Sequence, residues 1–341
     1  MKPAIRLAAL CAGLALTGAA LAQEVTLKVH HFWPPGAMPP STLLGPWCEK
    51  IAKDSNNKMK CQIYPAMQLG GTPVQLYDQA RDGVVDVIWT LPGNTAGRFP
   101  RVEVFELPFM MNNAEATSKA YWEYVQTHAP DEFKDTHVIG LHVHGPGMFH
   151  SASKQIKSVS DLKGMKVRGP TRQVTGMLKS VGAIPVGMPL PQIPDALSKG
   201  TIEACVIPWE VVPAVKVHEL AKYHSEFDNT GGALYTTTFV MTMNTARYNS
   251  LAPDLKKVID ANSGLATSAW LGKTQQANDI PGRKVVVERG NPIYQFSAAQ
   301  REEFIKLSAQ LDDAWVADMD KRGYKGKELL AAAKALIAKH G

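Results

Sequence analysis

An α/β fold in two lobes with a cleft between them is what this sequence predicts, and three observations carry that reading. Short apolar strands alternate with helical stretches, at a spacing that favours parallel βαβ units covered on both faces. The pattern stops and restarts at Gly145-Pro146-Gly147. The two halves also echo each other. Gln79-Ala-Arg-Asp-Gly83-Val-Val-Asp86 is matched by Ala196-Leu-Ser-Lys-Gly200-Thr-Ile-Glu203, each a helix end, a glycine, an apolar position and an acid before a strand.

Taken in order, Val25 to His31 alternates as a first strand and ends in the rigid turn Trp33-Pro34-Pro35-Gly36. A helix to about Ser55, a strand Met59 to Tyr64, a helix Pro73 to Asp82 and a strand Val84 to Thr90 follow. After a loop from Leu91 to Met111 come a helix, Glu115 to Phe133, and an apolar strand, His137 to Val143. The second half opens with a strand at Lys166 to Arg168. Helices at Gln173 to Val181 and Ile193 to Lys199 come next, closed by Gly182 and Gly200, which accept the left-handed conformation. Ile202 to Ile207 is the next strand. Leu234 to Met243 reads as a long strand crossing back between lobes, and Asp254 to Asp279 as one long helix. Helices at Ala298 to Arg322 and Lys327 to Lys339 end the chain. The division that results assigns residues 24–147 and about 235–278 to lobe I, and residues 148–234 and about 279–341 to lobe II.

Residues 1–22 read as a cleavable signal peptide: Lys2 and Arg6, the apolar run Leu7 to Leu16, then Ala20-Leu21-Ala22 before Gln23. Cys11 lies inside that run and is a poor lipid-attachment position, so the expectation is a protein free in the periplasm. Without Lys2 and Arg6 the formal charge falls from +6 to +4, and the charges are scattered. Nucleic-acid binding therefore has no support. Three cysteines remain, and an oxidising compartment predicts one pair and one leftover thiol. Cys48 and Cys61, on a helix and the strand after it, form the expected disulfide; Cys205 is expected to be a free buried thiol.

The chemistry is concentrated in one place. Arg168 stands at the carboxyl end of a strand, where ligands bind in open α/β sheets. Its planar fork of donors suits a carboxylate. Gly-x-Ser-x-Gly, Cys-x-x-Cys, Gly-x-Gly-x-x-Gly and phosphate-loop motifs are all absent. That combination describes a chain that holds an anion without transforming it, with no cofactor and no metal. The rival reading is a metal-dependent hydrolase around His142, His144 and His150, whose spacing lacks a convincing third ligand.

The segments Ser160-Asp-Leu-Lys-Gly-Met-Lys-Val-Arg168, Val181-Gly-Ala-Ile-Pro-Val-Gly-Met-Pro189 and Ala196 to Glu203 carry a resemblance over essentially the whole chain after residue 22. Tyr64-Pro-Ala-Met-Gln-Leu-Gly-Gly71 and Phe105-Glu-Leu-Pro-Phe109 add to it. The chain resembles the extracytoplasmic solute-binding proteins of tripartite ATP-independent periplasmic (TRAP) transporters. The resemblance implies a two-lobed periplasmic solute-binding clamshell, with crossing strands and a long helix spanning both lobes. It also implies that Arg168 pairs with a ligand carboxylate, and that the small and large membrane subunits are the partners. A sensory receptor of the same fold remains an alternative, and the chain is read as a monomer.

One departure points to the ligand. Where the sialic-acid branch sets a polar Asn before a Pro, this chain has Ile207 before Pro208. A polar ligand group left unpaired there costs about 1–3 kcal/mol. The chain is thus closer to binders of aromatic or apolar monocarboxylates. Besides Arg168, the candidate ligand-binding residues are the aromatic Phe32, Trp33, Trp89, Phe149, Trp209, Tyr235 and Phe239, the apolar Ile207, and the polar Thr90 and Asn94. Trp89 and Trp209 gain weight because they occupy matching places after the two echoed segments. Arg172, a turn beyond Arg168, is expected on a solvated helix face.

Overall fold

The computed structural model describes residues 24–228 and 231–341; the expected signal peptide lies outside these. The first lobe is built on a five-stranded sheet. Its strands are β1 (Val25–His31), β2 (Met59–Tyr64), β3 (Val87–Thr90), β4 (Thr136–Val143) and, from much later in the chain, β10 (Thr238–Asn244). Their order is β2-β1-β3-β10-β4, with β10 antiparallel to both its neighbours and the rest parallel. The second lobe carries a six-stranded sheet ordered β11-β9-β5-β8-β6-β7. These are β5 (Gly147–Ser151), β6 (Lys166–Gly169), β7 (Ile184–Gly187), β8 (Ala204–Pro208), β9 (Tyr223–Glu226) and β11 (Ile293–Gln295).

Several central strands are buried along their length because both faces of the sheets are covered there. Every residue of β3, β5, β8 and β10 is buried. One continuous core joins the first lobe to the inward face of the second, and a separate core around Phe149, Phe227, Phe296 and Phe304 fills the second lobe's far side. Among the described residues no helix is long and apolar enough to cross a membrane.

Several expected elements differ. The crossing strand is shorter than predicted: only Thr238–Asn244 is strand, and residues 234–237 form the extended link between lobes. The long helix is broken into Pro253–Ala261 and Leu265–Ala277. Gly264 interrupts it at a φ of 92°, a conformation costly for any side chain, while its N–H donates to Ile139 O. A further helix, Asp279–Glu288, follows almost directly. The last helix, Gly326–His340, was assigned by sequence to the second lobe but packs on Ala114–His128 of the first.

The disulfide joins Cys48, in helix Met38–Asp54, to Cys61 of β2, with Cα atoms 5.6 Å apart. Cys205 is free and buried, and burial pushes its thiol up to about 12. Peptide mapping without reduction, on protein exported to an oxidising compartment, is expected to yield a linked Cys48–Cys61 pair and an unmodified Cys205. A bridge containing Cys205, or none at all, would contradict it.

Candidate functional site

Arg168 is the penultimate residue of β6, flanked by Val186 of β7 and Cys205 of β8 in register. Only 4% of it is exposed. Two carbonyls aim the guanidinium: Nε donates to Met188 O at 3.0 Å and Nη1 to Val206 O at 3.3 Å. Burial acts to lower its pKa, with Tyr235 and Cys205 acting the other way. An arginine nonetheless keeps its proton. Among the described residues no carboxylate forms an ion pair with it. The result is a desolvated cation with donors to spare.

That cation lines a small cavity of about 40 Å³ between the lobes. The first lobe contributes Phe32, Trp33, Leu91 and Phe239; the second contributes Pro170, Leu190, Ile207, Pro208 and Val211. Tyr235 and Thr237 enter from the crossing link, His144 from the other crossing segment, and Glu210 from just beyond β8. A larger surface groove of about 680 Å³ is open to solvent, and its charges are already paired, Arg283 with Glu226 and Lys273 with Glu115. Of these two, the smaller cavity is the one whose cation has no ion-pair partner among the described residues.

The aromatic wall is a stack. Trp33 lies on Phe32 at 5.6 Å and on Trp89 at 5.7 Å, and Trp89 lies on Phe239 at 5.1 Å. Offset rings at these distances hold one another in place. Tyr235 fits because residue 147 is glycine: a Cβ there would stand 2.0 Å from the Tyr235 ring.

Of the residues expected from sequence, Arg168, Phe32, Trp33, Ile207, Tyr235 and Phe239 are brought together around the cavity. The others are placed elsewhere. Trp89 belongs to the stack but not to the cavity lining, and its Nε1–H donates to His142 Nε2 at 2.8 Å. Phe149 points into the far core, 6.0 Å from Phe304 and 6.3 Å from Phe296. Trp209 turns outward, donating to Glu226 Oε2 at 2.9 Å and packing on His150 and His224. Thr90 and Asn94 bond each other at 3.4 Å, with Asn94 on an outer groove beside Thr171. For Phe149, strand alternation explains the placement: successive side chains of β5 face opposite ways.

His142, His144 and His150 are buried, and burial favours their neutral forms. His144 Nε2 accepts from Thr237 N at 3.0 Å and Nδ1 donates to Gly145 O. Burial holds its pKa down to about 4, and that of His142 to about 3. His150 bonds His224 at 2.7 Å and Ile207 O at 3.0 Å. Among the described residues no cluster of three metal-ligating side chains occurs. His144 lines the cavity without offering it a free nitrogen.

Sequence reasoning passed over Glu210, whose only signal was its place after an apolar strand. It is fully buried, its Oε1 accepts from Gln275 Nε2 at 2.8 Å, and its Oε2 has no partner. Burial first, and the neighbouring Asp279 second, push its carboxyl well above the ordinary range. Asp279 is itself pushed up to about 7 by burial. The hydroxyl of Tyr235 and the Nε1–H of Trp33 are also buried without partners.

Two α/β lobes closed over a small aromatic chamber with one unpaired cation define a solute receptor. The chain belongs to the bacterial extracellular solute-binding protein family 7, DctP, which it matches over residues 30–318. That family is one of transport receptors, not enzymes. It is 62% identical to a TRAP solute-binding protein of Rhodoferax ferrireducens T118 solved with copurified benzoate. That alignment covers 93% of this chain and 98% of the other, with a TM-score of 0.92. A marine metagenome TRAP protein specific for aromatic acids, bound to 3-hydroxybenzoate, is 47% identical with a TM-score of 0.91, covering 93% and 99% of the two chains. A Bordetella bronchiseptica TRAP protein holding both enantiomers of mandelate is 26% identical, covers 92% and 99%, and has a TM-score of 0.84.

Proposed function

We propose that this chain is the periplasmic receptor of a TRAP transporter for aromatic monocarboxylates, which it captures and delivers to the membrane subunits. The observation that carries this reading is Arg168, a buried guanidinium without an anionic partner, facing a cavity walled by Phe32, Trp33 and Phe239. The carboxylate takes the free donors of Arg168, and the unpartnered hydroxyl of Tyr235 and Nε1–H of Trp33 stand ready as further donors. The ring packs against the stacked wall.

The magnitudes are adequate. Two charge-assisted bonds contribute about 1.5–3 kcal/mol each. Burial of a ring adds about 2–3 kcal/mol. The upper half of that range reaches the roughly 8 kcal/mol of micromolar binding. The three similar structures described above hold benzoate, 3-hydroxybenzoate and mandelate, which are aromatic monocarboxylates.

A thermal-shift series across carboxylic acids tests it. A ligand at 100 times its dissociation constant stabilises the folded form by about 2.7 kcal/mol. Benzoate, its hydroxylated relatives and mandelate are expected to raise the melting temperature, while benzamide, sialic acid and succinate leave it unchanged. A shift with sialic acid or succinate and none with any aromatic acid would overturn the assignment.

A further inference from the structure

Once a carboxylate is assigned to Arg168, the cavity is still lined by a second ionisable residue, Glu210, whose carboxyl is only half engaged. Glu210 is held from two sides: its N–H donates to Asp279 Oδ1 at 3.0 Å, and its Oε1 accepts from Gln275 Nε2 at 2.8 Å. The remaining oxygen, Oε2, is buried without a partner in a residue that lines the cavity. A buried polar atom left unpaired is costly to a fold, so one at a ligand cavity marks what the ligand is to supply.

The cavity's other polar groups narrow what that is. His144 has both nitrogens engaged. Arg168 is aimed by carbonyls on β8 and the loop after β7, and forms no ion pair with Glu210. A ligand gripped by its carboxylate at the arginine therefore meets Glu210 with another part of the molecule. We propose that Glu210 is a specificity-determining residue that hydrogen-bonds a hydroxyl on the aromatic acid, so that hydroxylated aromatic acids are the preferred cargo. This rests on the aromatic-acid reading above.

A hydroxyl is the group that fits, since it both donates and accepts. It satisfies Oε2 whether or not that oxygen carries a proton. The burial of Glu210 beside Asp279 favours the neutral acid, which avoids a second buried charge. A methyl group of similar size fills the same space and leaves Oε2 unpaired. Sites built to bond a hydroxyl discriminate strongly against analogues that lack it.

Calorimetry on the full chain decides the point, using benzoate, the three hydroxybenzoate isomers and the three matching toluates. The parent protein is expected to bind its best hydroxybenzoate at least tenfold more tightly than the toluate with the same substitution. In Glu210→Leu that ratio is expected to collapse to within threefold of unity. Glu210→Gln, nearly isosteric and still able to bond a hydroxyl, keeps part of the preference and serves if the leucine variant does not fold. A ratio unchanged in both variants, including equal weakening of all ligands, overturns the role of Glu210 while leaving the receptor assignment intact. A parent protein that binds none of these acids overturns both.

Discussion

Replacing Arg168 with alanine is expected to weaken binding of the best aromatic acid by about 3–5 kcal/mol, the cost of burying a carboxylate without its partner. Lysine at this position is expected to recover only part, because an ammonium is a point charge and cannot form two parallel bonds. The geometry adds a second expectation. Without ligand, the guanidinium is buried with carbonyls alone for company. Removing it takes away a desolvated charge, so the unliganded Arg168→Ala protein is expected to melt no lower than the parent. Lost ligand response with undiminished intrinsic stability separates a binding arginine from a structural one. Calorimetry and thermal denaturation on the same samples give both readings. If Arg168→Ala holds the acid within threefold of the parent, or melts far below it, the assignment fails.

What could be read beforehand followed from the strength of local signals. The strands at Val25, Met59 and His137 and the helices flanking them are long apolar or periodic runs, and they form close to where they were expected. Four strands were not anticipated, and each lacks the usual pattern. β7 contains Pro185, tolerated because β7 is an edge strand. β9, Tyr-His-Ser-Glu, is mostly polar, and its buried His224 and Ser225 are satisfied by His150 and Ile156 O. β5 and β11 are short and follow Gly-Pro and Asn-Pro turns. Around the candidate cavity, Arg168, Trp33 and Tyr235 were accessible to reasoning because their residue types suggest a task. Phe149 and Trp209 were not separable from them, since a doubly covered sheet gives both faces the same composition. Glu210 was overlooked for the opposite reason: an acid beyond a strand usually faces water.

Arg172 is the clearest case in which the structure reverses an expectation from sequence, and it supplies the second large prediction. In place of a solvated helix face, its guanidinium joins Glu103 and Asp318. Nε donates to Glu103 Oε2 at 2.9 Å and Nη1 to Asp318 Oδ2 at 3.0 Å. Glu103 lies in the first-lobe segment Val102–Glu106, while Arg172 opens the second-lobe helix Arg172–Ser180. The pair therefore joins the two lobes and is expected to break when they part. The side chain of Glu103 is only 6% exposed, so loss of Arg172 leaves a nearly buried carboxylate with neutral donors alone, Gly97 N–H and Gln173 Nε2. Removing one partner of a fully buried pair costs 3–5 kcal/mol; with Arg172 itself 36% exposed, about 2–3 kcal/mol is expected. That cost falls on the closed form alone, and a ligand touching both lobes binds only as well as closure allows. Arg172→Ala is thus expected to weaken the acid substantially without touching it. In solution scattering the parent should contract when the acid is added, and the variant should need far more acid to reach the same radius of gyration. Glu103→Gln, which keeps a neutral acceptor for Gln173 and Arg172, should fall between the two. Parent-like affinity together with a parent-like scattering titration in Arg172→Ala would show that the ion pair does not hold the cleft shut.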